Sequence, residues 1–158
     1  MMYNKQSMIQ YFKFEEDFVE DNIRCIPMIA RFKLDACGIK LKLSEWSRMT
    51  EEERNYVSEY PCSSEEEILA YRQYIKTLIR IRTNNEAQDM EVDANPGWAN
   101  TQLIPEILVQ KLTEQDSTIT LKQWQCLNDL QRFVLVKLSR PGHENRNFPI
   151  AMSEFDLV

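Results

Sequence analysis

Three observations predict an all-α fold, a single compact domain over residues 1–158 with about six helices. Apolar residues recur at helical spacing between start and stop signals. Two stretches, 26–60 and 104–138, match each other at one fixed offset and read as two copies of a helix-link-helix unit. The composition is that of an ordinary globular domain, with 158 residues, 43% hydrophobic and 28% charged side chains, enough apolar matter to bury one core.

The elements follow in chain order. Met8 to Phe14 is short and aromatic, as an extended arm laid on the domain would be, and an acidic helical turn runs from Glu15 to Asn22. Pro27 suits a first helical position. From it Ile29, Phe32, Leu34 and Ala36 form an apolar stripe that stops near Gly38, a natural left-handed cap. Ile39, Leu41 and Leu43 alternate with Lys40 and Lys42, the pattern of a short extended link. Ser44 caps a turn holding Trp46 and Met49, and Thr50 with Glu53 forms a capping box for a helix to about Tyr60, stopped by Pro61. Ser63 or Ser64 followed by Glu65, Glu66 and Glu67 starts a long helix to about Arg82, as the helix dipole favours. Its Arg72, Lys76 and Arg80, spaced four apart, read as a solvated face. Residues 84–100 are linker-like. A helix from Pro105 to about Gln115 follows, then one from Leu121 to about Arg140 ended by Pro141-Gly142, then a tail from Asn147 too apolar to be free.

The offset of the self-match is 78. Ile26-Pro27, Ile29, Lys33-Leu34, Leu43, Trp46 and Arg54 recur as Ile104-Pro105, Ile107, Lys111-Leu112, Leu121, Trp124 and Arg132, eight identities in 29 aligned positions where average usage would give about two. Both Trp46 and Trp124 sit on apolar stripes and are expected in the core. The unit is similar to an EF-hand, with Leu41 and Ile119 at the apolar position of the loop. Calcium is not expected, because Leu34, Ala36 and Gly38 replace oxygen ligands in one copy, and Leu112 and Gln123 replace them in the other.

Several chemistries are excluded. Gly38, Gly97 and Gly142 are the only glycines, so no phosphate-cradling glycine loop exists, and the lone His143 rules out multi-histidine metal sites. Cys25, Cys37, Cys62 and Cys126 contain no CxxC pair and are expected to be free thiols. A metal or iron-sulfur carrier using Cys25, Cys37 and Cys62 is one alternative; an enzyme working through His143 and Glu144 is another. An isoelectric point of about 4.9 makes nucleic acid a poor partner. No secretory signal or 18-residue apolar span is present, so the cytoplasm is the expected compartment and no membrane partner is expected. Charge falls in blocks of +4 over 24–48, −6 over 49–67 and +4 over 68–82, within a total of −6.

The runs Phe14-Glu15-Glu16-Asp17-Phe18-Val19-Glu20, Arg24-Cys25-Ile26-Pro27 and Arg31 to Leu41 with Trp46 resemble the nitrate reductase-associated protein family. So do Leu127 to Phe133 and Pro141-Gly142-His143-Glu144-Asn145-Arg146-Asn147-Phe148, and the resemblance extends over residues 12–155. It implies a small accessory protein of oxygenic phototrophic bacteria, associated with genes for the molybdenum nitrate reductase and its cofactor, and needed for an active reductase. The implied partner is nitrate reductase or its maturation machinery. No catalytic residue carries over; neither a cofactor nor turnover of its own is expected. The matched polar positions that core packing leaves unexplained are Arg24, Arg31, Lys33, Asp35, Lys40, His143, Glu144, Asn145 and Arg146. They are the expected partner surface, with Arg31, Lys33 and Lys40 acting together with the 143–146 loop.

Overall fold

Capping chemistry sets where most helices begin, and burial of one face of each holds them together. The computed structural model describes residues 11–142 and 145–158, which group into two compact units. The first holds Tyr11 and Glu15–Asp93, and the second holds Phe12–Phe14 and Ala94–Val158. The boundary at 93/94 falls inside the linker-like stretch. Helices dominate both, so the chain is all-α, with one two-stranded ladder among the described residues.

The first unit runs α1 (Glu16–Glu20), α2 (Met28–Cys37), β1 (Ile39–Lys40), α3 (Leu43–Trp46), α4 (Glu51–Glu59), α5 (Glu65–Thr83) and β2 (Gln88–Asp89). Pro27 stands just before α2 and has no side-chain oxygen to cap it. The buried carboxylate of Glu15 takes that role, accepting the Met28 N–H at 2.7 Å at the positive end of the helix. α2 stops at Gly38, whose φ is +77°. A Cβ there would lie 3.0 Å from the Met90 carbonyl oxygen and 3.0 Å from Val92 Cγ2, so both conformation and space demand glycine. β1 then pairs antiparallel with β2, Ile39 opposite Asp89. Thr50 and Glu53 close a reciprocal box at α4 with bonds of 3.1 and 2.9 Å, and Ser64 and Glu67 do the same at α5 with two bonds of 3.1 Å. Ile26, Ala30, Leu34, Ile39, Trp46, Val57, Tyr71, Ile75 and Ile79 form the core between α2, α4 and α5. Each such aliphatic side chain contributes about 1.5–3 kcal/mol by leaving water.

The second unit runs from a 3-10 turn at Gly97–Ala99 through α6 (Glu106–Glu114), α7 (Leu121–Cys126), α8 (Asp129–Leu138) and α9 (Asn147–Glu154). Here the expected single helix from Leu121 to Arg140 is two. Leu127 is extended (φ −73°, ψ 151°), and Asn128 and Gln131 make a fresh capping box with bonds of 2.8 and 3.0 Å. The apolar period runs on through the break, which is why periodicity alone reads through it. α8 is buried nearly all round, packs on α6, α9 and the 3-10 turn, and is the unit's central helix. The apolar tail becomes α9, with Phe148, Ala151 and Met152 buried. Of the expected N-terminal arm, residues 8–10 lie outside the described residues. Phe12 is buried with its ring 5.6 Å edge-on to Phe155, while the Lys13 N–H donates to Glu154 at 2.8 Å.

Helices α2, α3 and α4 begin at Met28, Leu43 and Glu51, and α6, α7 and α8 begin at Glu106, Leu121 and Asp129, each 78 residues later. Trp46 and Trp124 are both 0% exposed.

Candidate functional site

Arg24, Arg31, Lys33, Asp35 and Lys40 lie in the first unit; Asn145 and Arg146 lie in the second. His143 and Glu144 are outside the described residues, and with them the alternative of an enzyme built on that pair. Of the first-unit residues, two are turned inward. Lys33 reaches the C-terminal end of α4 and donates to the carbonyls of Ser58 and Tyr60, both at 2.7 Å. Burial pushes its ammonium below the ordinary lysine value. Arg31 is half-buried, with Nε 3.2 Å from the Ile26 carbonyl oxygen, and burial lowers its guanidinium too. Asp35 is half-buried on α2. Arg24 is exposed, bonding the Asp17 carbonyl at 3.3 Å and Asp21 at 3.4 Å. Lys40 stands exposed on β1. In the second unit, Asn145 accepts a 2.6 Å bond from Lys111, a lysine 8% exposed, and Arg146 is exposed.

Three arginines outside the expected partner surface hold loops in place. Arg72 donates to the Cys37 and Gly38 carbonyls at 2.8 and 3.1 Å and to Asp89 at 2.5 Å, locking the β1–β2 corner. Helical spacing placed it on a solvated face, and nothing local to α5 signals carbonyls supplied by another element. Arg54 lies 6.0 Å from the Trp46 ring centroid and donates to the carbonyls of Asn22, Trp46 and Ser47 at 2.7, 3.2 and 3.3 Å. Arg132 lies 5.9 Å from the Trp124 ring and bonds the Trp98 carbonyl at 2.8 Å, the Leu127 carbonyl, and Asp129 at 2.5 Å. Trp46 itself donates to Ile23 at 2.7 Å, and Trp124 to Asn100 at 2.9 Å. Asn22 and Ile23 have φ of 57° and 49°, a strained turn for a β-branched residue, and Trp46 and Arg54 hold its carbonyls. The signal for these latches was present as the shared Trp-x7-Arg spacing at 46/54 and 124/132.

Two of the four thiols donate to backbone carbonyls. Cys37 and Cys62 bond the carbonyls of Leu34 and Lys33 at 3.6 and 3.7 Å, and burial pushes their pKa values up to about 11 and about 12, so both stay protonated near neutrality. Among the described residues, no group of three or more His, Cys, Asp or Glu side chains is placed to hold a metal ion. Glu45, at the place where an EF-hand has its bidentate ligand, accepts the Lys42 N–H at 2.9 Å, and Gln123 accepts the Thr120 N–H at 2.8 Å. Both are used to close helix N-termini.

Residues 11–155 match the family model described as conserved nitrate reductase-associated protein. The chain belongs to the nitrate reductase-associated protein family. No curated protein and no solved structure matches it. The family name links the chain to nitrate reductase, and no helix among its described residues is long and apolar enough to cross a membrane.

Proposed function

We propose that this chain is a non-catalytic accessory protein that binds nitrate reductase, or the machinery that matures it, in the cytoplasm. The match of residues 11–155 to the nitrate reductase-associated family carries the reading. The docking groups we assign in the first unit are the exposed Lys40 and Arg24; in the second, Arg146 and the 143–144 pair. Arg31, Lys33 and Asn145 would act at one remove, by holding the backbone and side chains around them. Surface cations at an interface rim act mainly on encounter rate and salt sensitivity. The same reading takes residues 26–60 and 104–138 as diverged copies of one helix-link-helix element in a single functional domain, supported by the common offset of helix starts and the paired Trp–Arg latches.

The test is nitrate reductase activity in cells of a deletion strain carrying wild type, Lys40→Glu/Arg24→Glu, or no copy. Co-purification of the reductase at low and high salt runs alongside. Activity lost in the deletion strain and weakened, salt-sensitive capture by the double variant are the expected results. Undiminished activity without the protein would end the accessory role. Unchanged capture by the double variant would move the docking surface elsewhere.

A further inference from the structure

A shallow groove of about 500 Å³ opens between the C-terminal end of α4 and the first turns of α5, lined by Tyr56, Tyr60, Pro61, Glu66, Glu67 and Ala70. Its wall is aromatic and rigid. The Tyr56 ring lies 5.1 Å from Tyr60 and 4.9 Å from Tyr74, and the Tyr60 and Tyr74 rings stack at 5.5 Å. Tyr60 is braced edge-on by the buried Tyr71 at 5.9 Å, and Tyr71 is fixed by a 2.8 Å bond to the Val57 carbonyl. Yet Tyr56 remains 48% exposed, a large ring left facing solvent. Core packing explains Tyr71; it does not explain a rigid ring cluster ending in an open face.

The charge around this wall is one-sided. Residues 49–67 carry seven carboxylates and one cation, Arg54, whose guanidinium is spent on three backbone carbonyls. Lys33 is spent likewise on the Ser58 and Tyr60 carbonyls. Glu53 is matched by the Arg82 fork, and Glu67 accepts the Ser63 and Ser64 N–H groups. Glu66, on the rim, makes no hydrogen bond or ion pair with the described residues, and Glu65 is exposed beside it in sequence. A tyrosine face attracts a cation through its ring quadrupole, and a carboxylate at its edge offers two acceptors. A guanidinium satisfies both at once, because it is planar, stacks on a ring and forks onto a carboxylate, which an ammonium does not.

We propose that this groove is a docking site for an arginine-bearing segment of a partner protein, one guanidinium lying on Tyr56 and Tyr60 and forking onto Glu66. It is a surface of opposite sign to the cations assigned above, and it stands on the groove's own geometry whether or not the partner is nitrate reductase.

The probe is a blocked heptapeptide, Gly-Ser-Gly-Arg-Gly-Ser-Gly, added to the full-length protein, with ring proton shifts of Tyr56, Tyr60 and Tyr74 followed by NMR. The same peptide with citrulline, a neutral isostere, is the control, and a proline-rich peptide is a third arm. Saturable shifts at these rings by about 5 mM arginine peptide are expected, with affinity reduced roughly tenfold by Glu66→Lys, a change at an exposed position that leaves the fold intact, and by Tyr56→Ala. Equal binding of the citrulline peptide would overturn the assignment, as would tighter binding of the proline-rich one or no shift at these rings at that concentration. Concentration-dependent dimerisation of the protein alone, abolished by Glu66→Lys, would show that a second copy occupies the groove and would equally overturn it.

Discussion

Arg132 and Arg54 make the same kind of latch at different depths, and the difference predicts unequal costs for one substitution. Replacing Arg132 with Met keeps the apolar stem and removes every donor. The bond to Asp129 is worth little, because that carboxylate's side chain is 64% exposed. The bonds to the Leu127 and Trp98 carbonyls are different: Arg132 is 5% exposed, the Leu127 bond is buried, and the Trp98 bond is partly so. A buried acceptor deprived of a charged donor costs about 1.5–3 kcal/mol. With some recovery of the Trp98 carbonyl by water, about 3–4 kcal/mol is expected, a large part of a typical domain's 5–15. Arg54→Met removes three carbonyl bonds, but those to Asn22 and Ser47 are exposed and water replaces them. About 1–2 kcal/mol should be lost there. Urea unfolding followed by far-ultraviolet circular dichroism measures both. An Arg132→Met cost below about 1 kcal/mol, or one smaller than that of Arg54→Met, would refute the argument that burial of the carbonyls sets the energy.

Two further outcomes follow from the titrating groups. Burial by itself would raise the Glu53 carboxyl, but the Arg82 fork and the Thr50 N–H outweigh it and hold the group below the ordinary carboxylate value. A depressed folded-state pKa stabilises above the unfolded value and is lost as pH falls through the folded one, so wild type should lose more stability than Glu53→Gln as pH drops below about 4; parallel curves would exclude this pair as the source. With the Cys37 and Cys62 pKa values pushed up to about 11 and about 12 and Cys126 exposed, iodoacetamide at pH 8 should label Cys126 well before either Cys37 or Cys62, as read by peptide mass spectrometry. Equal rates would mean that Cys37 is open to solvent in solution.

What the residues themselves announced was largely local. Thr50–Glu53 and Ser64–Glu67 are start signals complete within four residues, and the structure begins α4 and α5 where they stand. The missed break at Leu127 was legible by another route: Asn128 and Gln131 lie 78 residues after Thr50 and Glu53, so the self-match carried the second capping box even though the apolar period concealed it. Long side chains were the harder problem. Lys33 and Lys40 alternate with core positions in the same pattern, but Lys33 finds the open carbonyls at the end of α4, and Lys40 stands exposed on β1. Which acceptor a four-carbon stem meets depends on an element far along the chain, and periodicity holds no information about it. Family membership was legible through resemblance of long residue runs, since the chain carries no motif whose chemistry names a reaction.

The Trp–Arg latches make the molecule its own optical instrument. Trp46 belongs to one unit and Trp124 to the other, each fully buried with its indole N–H on a carbonyl. Trp98, half-exposed, is the remaining indole. Replacing Trp98 with Phe therefore leaves one interior emitter per unit, and removing either of those in turn isolates the other. Fluorescence during unfolding would then report whether each unit unfolds at the same denaturant concentration as the other, without a label attached to either.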